Sequence, residues 1–391
     1  MKKRILALLL TLAMGLSLAA CSAPAAQTPS PSPSDSVTPS VNPTESVQPA
    51  IEADLTMDVL SFAVGKDLLS GDPLVTVNGE SLSNNLMLYW LFYCCIYYEQ
   101  QLSYYGLPLD LYAETILDEA YNLITYYTVM AQKAKELGCL LTDDQLEAIK
   151  DNIAENQSDY DMSKEMYGLS DEDFSLIYAL TDYYDNLAEM LIGDPTEDAL
   201  NDFVYQVKHI LITTAASAAD GKVTLNTGDT VEYAGTAEEY NAEALAKAEA
   251  ILAEIRSAAD PAATFDALMH EHSEDGRDAD GNLGAPDGYT ATPGRMVPEF
   301  EQTAFAIGIG DVSDVVESTY GYHIILRGEV ENINSYAEQW TAYKMDQQLS
   351  QWVSEADVVT SDAITASSVV EFYNRFSAWQ MAYITQSSES K

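Results

Sequence analysis

The sequence predicts an α+β protein in which a region with a small sheet is flanked on both sides by helical segments. Residues 207–212 and 318–326 are apolar and β-branched, which is typical of short buried strands. Each stretch carries one of the chain's four histidines, His209 or His323, where a solvated side chain is not expected. Helix start signals dominate the sequence before and after this region. At 391 residues the chain is long enough for two or more domains.

The first fifty residues are expected to lie outside the folded domains. Residues 1–20 combine a basic start, an apolar run and small residues, which is typical of a secretory signal peptide. The Leu-Ala-Ala-Cys ending resembles a bacterial lipobox, which implies that Cys21 is lipidated; cleavage at an ordinary site leaving a free cysteine is the alternative. Residues 21–50 contain half of the 14 prolines, so they predict an extended, disordered tether.

Residues 51–203 predict a mainly helical domain. A strand at residues 74–80 ends in an Asn-Gly turn, and Ser81 or Ser83 caps the helix that follows. Thr142 and Ser170, each followed by acidic residues, mark two further helix starts. The predicted helices cover residues 83–102, 108–137, 142–156 and 170–192. Ten of the 25 tyrosines lie between Tyr89 and Tyr127, where they either pack the helices together or hold an unfolded chain.

The central region continues after its first histidine strand with a polar insertion, residues 213–242, in which a β-hairpin is predicted. Helices are predicted at residues 237–257 and 264–271. Three short motifs then precede the second histidine strand. They are Ser273-Glu274-Asp275, Gly281-Asn282-Leu283-Gly284, and Gly294-Arg295-Met296-Val297-Pro298-Glu299-Phe300, the last leading into a short helix that ends near Gly308.

This ordered set of strands and motifs resembles the parvulin family of peptidyl-prolyl cis/trans isomerases. The resemblance implies a parvulin domain at residues 204–329, with a small antiparallel sheet surrounded by helices. The helical region before it resembles the N-terminal chaperone segment of secreted parvulin foldases. By the same resemblance, residues 330–391, with predicted helices at 335–356 and 367–382, pack on residues 51–203. The parvulin domain is then inserted in a mainly α-helical, chaperone-like domain.

The resemblance also assigns the site residues. Met296 and Phe300 form an apolar slot for the proline ring, which we call the proline slot, with Leu283 beneath it. His209 and His323 form a central pair whose tautomers Ser318 fixes, and Asp275 stands where the family has Cys or Asp. Tyr320 supplies a second hydroxyl beside His323. The family's aromatic residue after Leu-Gly is missing here, and Tyr289 is the residue expected to replace that wall.

The chemistry of prolyl isomerisation fits such a site. Partial double-bond character gives the Xaa-Pro bond a barrier near ~20 kcal/mol, and lowering it requires neither a nucleophile nor a metal. A dry site that binds the twisted amide better than the planar one suffices. No cofactor and no metal site is therefore expected. The alternative for the histidines is that they only hold the two strands together.

The charged residues and the cysteines limit the kinds of partner and bond that are expected. The 18 Lys and Arg against 62 Asp and Glu give a net charge of −44, which argues against nucleic acid as a partner. Cys94, Cys95 and Cys139 are expected in the core, although one of the first two could bridge to Cys139. The sequence predicts an extracytoplasmic foldase, anchored to the bacterial cell membrane by lipid, that isomerises Xaa-Pro bonds in newly secreted polypeptides. The alternative function is a non-enzymatic holdase that binds unfolded chains.

Overall fold

The computed structural model describes residues 51–389 except Ala279, so the predicted signal peptide, the lipidated Cys21 and the tether lie outside the described residues. The described residues divide into two compact units, one of residues 51–193 with 343–389 and the other of Asp194–Ala342. The second unit interrupts the first in sequence. The first is mainly helical and the second contains a small antiparallel sheet with helices around it, which confirms the predicted α+β class.

The elements follow one another in this order. The helices are Val59–Val64 (α1), Lys66–Leu69 (α2), Asn84–Tyr105 (α3), Ala113–Leu137 (α4), Asp143–Glu155 (α5), Gln157–Tyr167 (α6), Asp171–Leu191 (α7), Glu197–Asn201 (α8), Ala237–Ser257 (α9), Pro261–His272 (α10), Pro298–Ala306 (α11), Ala337–Glu355 (α12) and Ala366–Glu389 (α13). The strands are Val75–Val77 (β1), Glu80–Ser81 (β2), Tyr205–Thr213 (β3), Ala215–Ala219 (β4), Lys222–Leu225 (β5), Thr230–Glu232 (β6), Tyr289–Ala291 (β7), Val316–Glu317 (β8), Gly321–Gly328 (β9) and Val358–Thr360 (β10). Short 3₁₀ helices lie at Leu109–Tyr112 and Ile333–Tyr336.

Side-chain caps set where the helices of the first unit begin. Thr142 and Ser170 form complete capping boxes with Gln145 and Asp173, because each pair exchanges side-chain and backbone hydrogen bonds. Ser83 accepts a hydrogen bond from the backbone of the third residue after it and so starts α3. Helix α6 was not predicted, since it follows α5 directly and has no side-chain cap at its start.

The core of the first unit forms where α3, α4, α7 and α13 contribute buried apolar side chains to one cluster. Phe92 of α3 stacks on Phe376 of α13, with ring centroids 4.4 Å apart. Cys94, Cys95 and Cys139 are free and buried. A three-stranded sheet in the order β10-β1-β2 completes the unit. None of the helices in residues 51–389 is both long and apolar enough to span a bilayer.

The second unit is built on a four-stranded sheet in the order β7-β3-β9-β8, with every neighbouring pair antiparallel. Successive side chains of a strand point to opposite faces, so each strand serves two cores. On one face, which we call the helical face, Ile210, Ile212, Tyr322 and Ile324 pack against α9 and α10. On the other, the histidine face, Val207 and Ile325 pack against α11 and β7.

The polar insertion forms a separate three-stranded sheet, in the order β4-β5-β6. The predicted hairpin is its β5–β6 pair, and β4 is an additional strand. Strand β4 has an alanine-rich, mostly exposed sequence without strong β-propensity, so the pairing with β5 and not the local sequence makes it a strand.

We predict that Phe376→Ala lowers the free energy of unfolding of the helical unit by about 3–5 kcal/mol, since it removes a fully buried ring from the core. Met381→Ala on the same helix is the control, because its side chain is 70% exposed, and it should change that free energy by less than about 0.5 kcal/mol. Urea unfolding of both variants measures the difference. Equal losses for the two would contradict the packing described.

Candidate active site

The two histidines meet because of the register between β3 and β9. His209 pairs with Ile325 and Leu211 pairs with His323, so both histidines lie on the histidine face as diagonal neighbours. Their rings are stacked with centroids 5.3 Å apart, and their Nδ1 atoms are 3.3 Å apart. His323 is only 3% exposed and the side chain of His209 only 11%, so the pair is largely shielded from solvent.

Hydrogen bonds extend from both ends of the pair. His209 Nε2 lies 2.9 Å from Asp275 Oδ2, and Ser318 Oγ lies 2.7 Å from His323 Nε2. A carboxylate can only accept, so His209 donates from Nε2 and, when neutral, accepts at Nδ1. His323 then donates from Nδ1 and accepts from the Ser318 hydroxyl at Nε2. The donors all point the same way, from Ser318 through both imidazoles to Asp275.

The Ser-Glu-Asp motif holds Asp275 in place through the edge of β3. Ser273 Oγ accepts a hydrogen bond from Leu211 N (3.2 Å), and the backbone N–H of Glu274 donates to Leu211 O (2.8 Å). The Glu274 carboxylate accepts from Thr213 N (2.8 Å) and from Lys247 Nζ (2.9 Å). The sequence motif was recognised as a unit, but the positioning role of its first two residues was not predicted, because it depends on backbone pairing distant in sequence.

Phe300 is the ring against which the histidines pack. It is 2% exposed, and its ring centroid lies 5.1 Å from that of His209 and 5.3 Å from that of His323, edge to face in both cases. Met296 packs partly buried against the same apolar cluster. Leu283 differs from its predicted place, because it packs against the cluster of the helical face and not with Met296 and Phe300.

Tyr289 reaches the pair from β7. Its hydroxyl donates to Asp275 Oδ2 (2.6 Å), and its ring centroid lies 5.7 Å from that of His209. The residue before it must be glycine, since a Cβ on Gly288 would lie 2.1 Å from Val207 O and its φ is +81°. Burial, together with the hydrogen bond to Asp275, raises the pKa of Tyr289 to about 12. The tyrosine therefore stays a neutral donor beside the carboxylate.

Tyr320 contacts the site differently from the prediction. Its backbone N–H donates to Ser318 Oγ (3.1 Å), while its side chain is 38% exposed. The turn that carries it is fixed by Gly321, where a Cβ would lie 2.2 Å from Ile212 O and φ is +146°. The backbone of Tyr320 thus orients Ser318. Among the described residues, the Tyr320 hydroxyl makes no hydrogen bond to His323.

The surroundings shift the pKa values of His323 and Asp275. Burial lowers the pKa of His323 to about 3, with the neighbouring His209 contributing and Asp275 opposing. The hydrogen bond from His209 lowers the pKa of Asp275, with Tyr289 contributing and burial opposing. His323 is therefore neutral and Asp275 ionised at neutral pH. Because the ordinary pKa of His323 is 6.5, unfolded chain gains a proton first, and stability is lost as pH falls from about 6.5 towards 3.

Among residues 51–278 and 280–389, no group of three or more His, Cys, Asp or Glu side chains is arranged to hold a metal ion. The site's own groups are a carboxylate, two imidazoles, two hydroxyls and an apolar wall. Ser318 Oγ is engaged by His323 and by Tyr320 N–H. This set can bind and polarise an apolar, amide-containing ligand.

Comparison with known proteins agrees with this geometry. Residues 209–329 match the family model described as "Rotamase: PPIC-type PPIASE domain". The chain therefore carries a PPIC-type parvulin domain, which is classified with the peptidyl-prolyl isomerases. This confirms the resemblance predicted from the two histidine strands and the motifs between them.

The proteins similar to this chain include foldases named PrsA. The chain is 38% identical over 96 residues to the foldase protein PrsA of Geobacillus kaustophilus, which covers 24% of this chain and 32% of that protein. It is 27% identical over 199 residues to the foldase protein PrsA 4 of Bacillus cereus, and this match covers 50% of this chain and 56% of that protein. The first match thus spans about a third of the relative's length. A crystal structure of PrsA from Bacillus cereus covers 78% of this chain at 22% identity with a TM-score of 0.31. The chain is therefore similar to PrsA foldases over part of its length.

We predict that His323 remains neutral at pH 5 and carries its proton on Nδ1, while His209 carries a proton on Nε2. Long-range ¹⁵N–¹H correlation spectra of the imidazoles distinguish both tautomers and the charged form. His270, which is exposed at the end of α10, is the internal reference. A proton gained by His323 between pH 7.5 and 5, or a proton found on its Nε2, would contradict the hydrogen-bond direction deduced above.

Proposed function

We propose that the chain catalyses cis/trans isomerisation of Xaa-Pro peptide bonds in unfolded polypeptides. The observation that carries the proposal is the position of Phe300, packed edge to face against both imidazoles of a hydrogen-bonded histidine pair. The apolar ring of Phe300 suits contact with a proline ring. The hydrogen-bonded groups beside it, which end in the Asp275 carboxylate, suit contact with the Xaa-Pro amide. The match of residues 209–329 to the rotamase family supports the same activity.

In this proposal the proline ring enters the proline slot against Phe300 and Met296, where burial of apolar surface provides the binding energy. The preceding carbonyl then lies near Asp275. A planar amide is stabilised by conjugation that moves negative charge to the carbonyl oxygen. A carboxylate beside that oxygen disfavours the conjugated form more than the twisted one, which lowers the barrier. His209 and Tyr289, which both donate to Asp275, hold the carboxylate in position.

Localisation and partners belong to the same proposal. The chain acts outside the cytoplasm on newly secreted polypeptides, and it is held at a bacterial membrane by a lipid on Cys21. The support is the order of a basic start, an apolar run and Leu-Ala-Ala-Cys, followed by a proline-rich stretch. Mass spectrometry of the mature protein from a bacterial membrane fraction tests for the lipid on Cys21.

A second function, holding unfolded chain without turnover, is favoured by exposed apolar side chains on the helical unit. Tyr104 and Tyr105 are 84% and 70% exposed at the end of α3, and Leu111 is 69% exposed nearby. Exposed aromatic side chains of this kind suit binding to extended chain. Both functions can be present in one protein, so an assay of turnover and an assay of aggregation are needed together.

We predict that Asp275→Ala lowers kcat for an Xaa-Pro tetrapeptide by roughly tenfold to a hundredfold, since it removes the charge that opposes conjugation. Phe300→Ala should mainly raise KM, because it removes a wall of the proline slot. Asp280→Ala, which removes an exposed carboxylate five residues away, is the control and should leave both constants unchanged. A protease-coupled or exchange NMR assay measures all three variants.

Unchanged turnover in Asp275→Ala would remove that residue from the proposed role. Absence of turnover in the wild type, together with suppression of aggregation of an unfolded protein, would instead support the holdase. His323→Ala belongs in the same series, because full activity in that variant would leave the histidine pair with a purely structural role.

A further inference from the structure

We propose that Glu301 is a positioning residue for the proline slot, because its carboxylate fixes the turn that delivers Met296. The inference rests on the proposed function for its catalytic readout. It adds a residue outside the sequence motifs described above, because Glu301 lies one position beyond the segment that ends in Phe300.

The Glu301 carboxylate bonds to two separate segments of the second unit. Both of its oxygens accept from the backbone N–H of Gly294, at 3.0 Å and 2.9 Å. Oε2 also accepts from the hydroxyl of Tyr205 at 3.3 Å. The side chain thus reaches back from the first turn of α11 to the preceding turn and across to the start of β3. Hydrogen bonds to a charged acceptor are stronger than neutral ones.

The bonded backbone leads directly to the slot. Gly294 has φ +82°, a left-handed conformation, and the turn closes with Arg295 N–H donating to Thr292 O at 3.3 Å. Met296 lies two residues further on and α11 begins at Pro298, so little chain separates the anchored glycine from the helix. The N-cap residue Val297 makes no side-chain cap hydrogen bond. Glu301 therefore joins the start of α11 to the turn in place of a cap.

Tyr205 connects this junction to the core. It is fully buried and packs in the same apolar cluster as Phe300 and Met296. Burial and the nearby Glu301 raise the pKa of Tyr205, so its hydroxyl remains a donor. The carboxylate thus contacts the buried Tyr205 on one side and the backbone of the Gly294 turn on the other. Loss of the carboxylate should loosen Met296 and leave Phe300, which is fixed by its own helix and burial, in place.

The chain contains a matched control for this effect. Glu299 lies in the same first turn of α11, so it makes the same helix-dipole contribution as Glu301, but its side chain is exposed. The test compares Glu301→Ala, Glu301→Gln and Glu299→Ala in the full chain. Turnover of an Xaa-Pro tetrapeptide and the ¹³C-methyl resonance of Met296 are measured for each.

We expect Glu301→Ala to raise KM by roughly tenfold with kcat within about twofold, the pattern of lost uniform binding. Glu301→Gln keeps one acceptor oxygen for Gly294 N–H and should give an intermediate KM. Glu299→Ala should match the wild type. The Met296 methyl resonance should shift or broaden in Glu301→Ala and not in Glu299→Ala, which a general loss of helix stability would not produce.

Equal KM values and equal Met296 resonances in Glu301→Ala and Glu299→Ala would overturn the inference. If Glu301→Ala does not fold, Glu301→Gln decides by the same comparison. If the wild type shows no turnover, the proposed function fails, but the Met296 resonance still decides the positioning role. A resonance that responds only to the Glu301 variants then supports the inference, and one that responds to neither or to both overturns it.

Discussion

The antiparallel pairing of β3 with β9 is the constraint on which the site depends. In this register Leu211 lies opposite His323 and Ile325 opposite His209, so both imidazoles fall on the face that α11 covers. A slip of one residue in either strand would move one histidine to the helical face and separate the pair. The two glycines that allow close approach, Gly288 and Gly321, each lie where β7 or the β8–β9 turn meets β3. The strand β3 is thus the element against which every other part of the site is aligned.

This pairing brings a row of hydrogen-bonded side chains, from Ser318 to Asp275, into contact with the apolar ring of Phe300. Asp275 sets the direction of these hydrogen bonds. An ionised carboxylate can only accept a hydrogen bond, so the neighbouring His209 must donate one. Burial of His323 keeps its imidazole neutral, and the hydrogen bond from His209 favours the ionised form of Asp275, which places a negative charge beside Tyr289. Prolyl isomerisation breaks no covalent bond, so a fixed charge beside a tight apolar surface is chemically sufficient.

The sequence allowed the histidine strands, the capping boxes and the main helices to be predicted, because these features are local. An apolar, β-branched composition identifies β3 as a buried strand, and Thr142 and Ser170 begin helices through contacts within four residues. Features that depend on contacts between residues far apart in the sequence could not be predicted in this way. Leu283 packs on the helical face, and Tyr320 acts through its backbone, because the path of the loops decides both.

The same distinction holds for the supporting residues. The motif Ser273-Glu274-Asp275 was visible as a unit, but only the fold shows that its first two residues bind the edge of β3. Glu301 gave no signal, since an acidic residue in the first turn of a helix is ordinary in any sequence. Tyr289 was predicted as a replacement wall from the absence of the usual aromatic residue, and its hydrogen bond to Asp275 adds a second, polar contact to that position.

The most direct test of the central claim is a set of intermolecular NOEs between the wild-type chain and an Xaa-Pro peptide labelled in the proline ring. If the histidine pair and the apolar wall form one site, the ring protons of proline contact Met296 and Phe300, and the signals of His209 and His323 shift on binding. Contacts of the proline ring confined to the helical unit, with all four side chains undisturbed, would contradict the account.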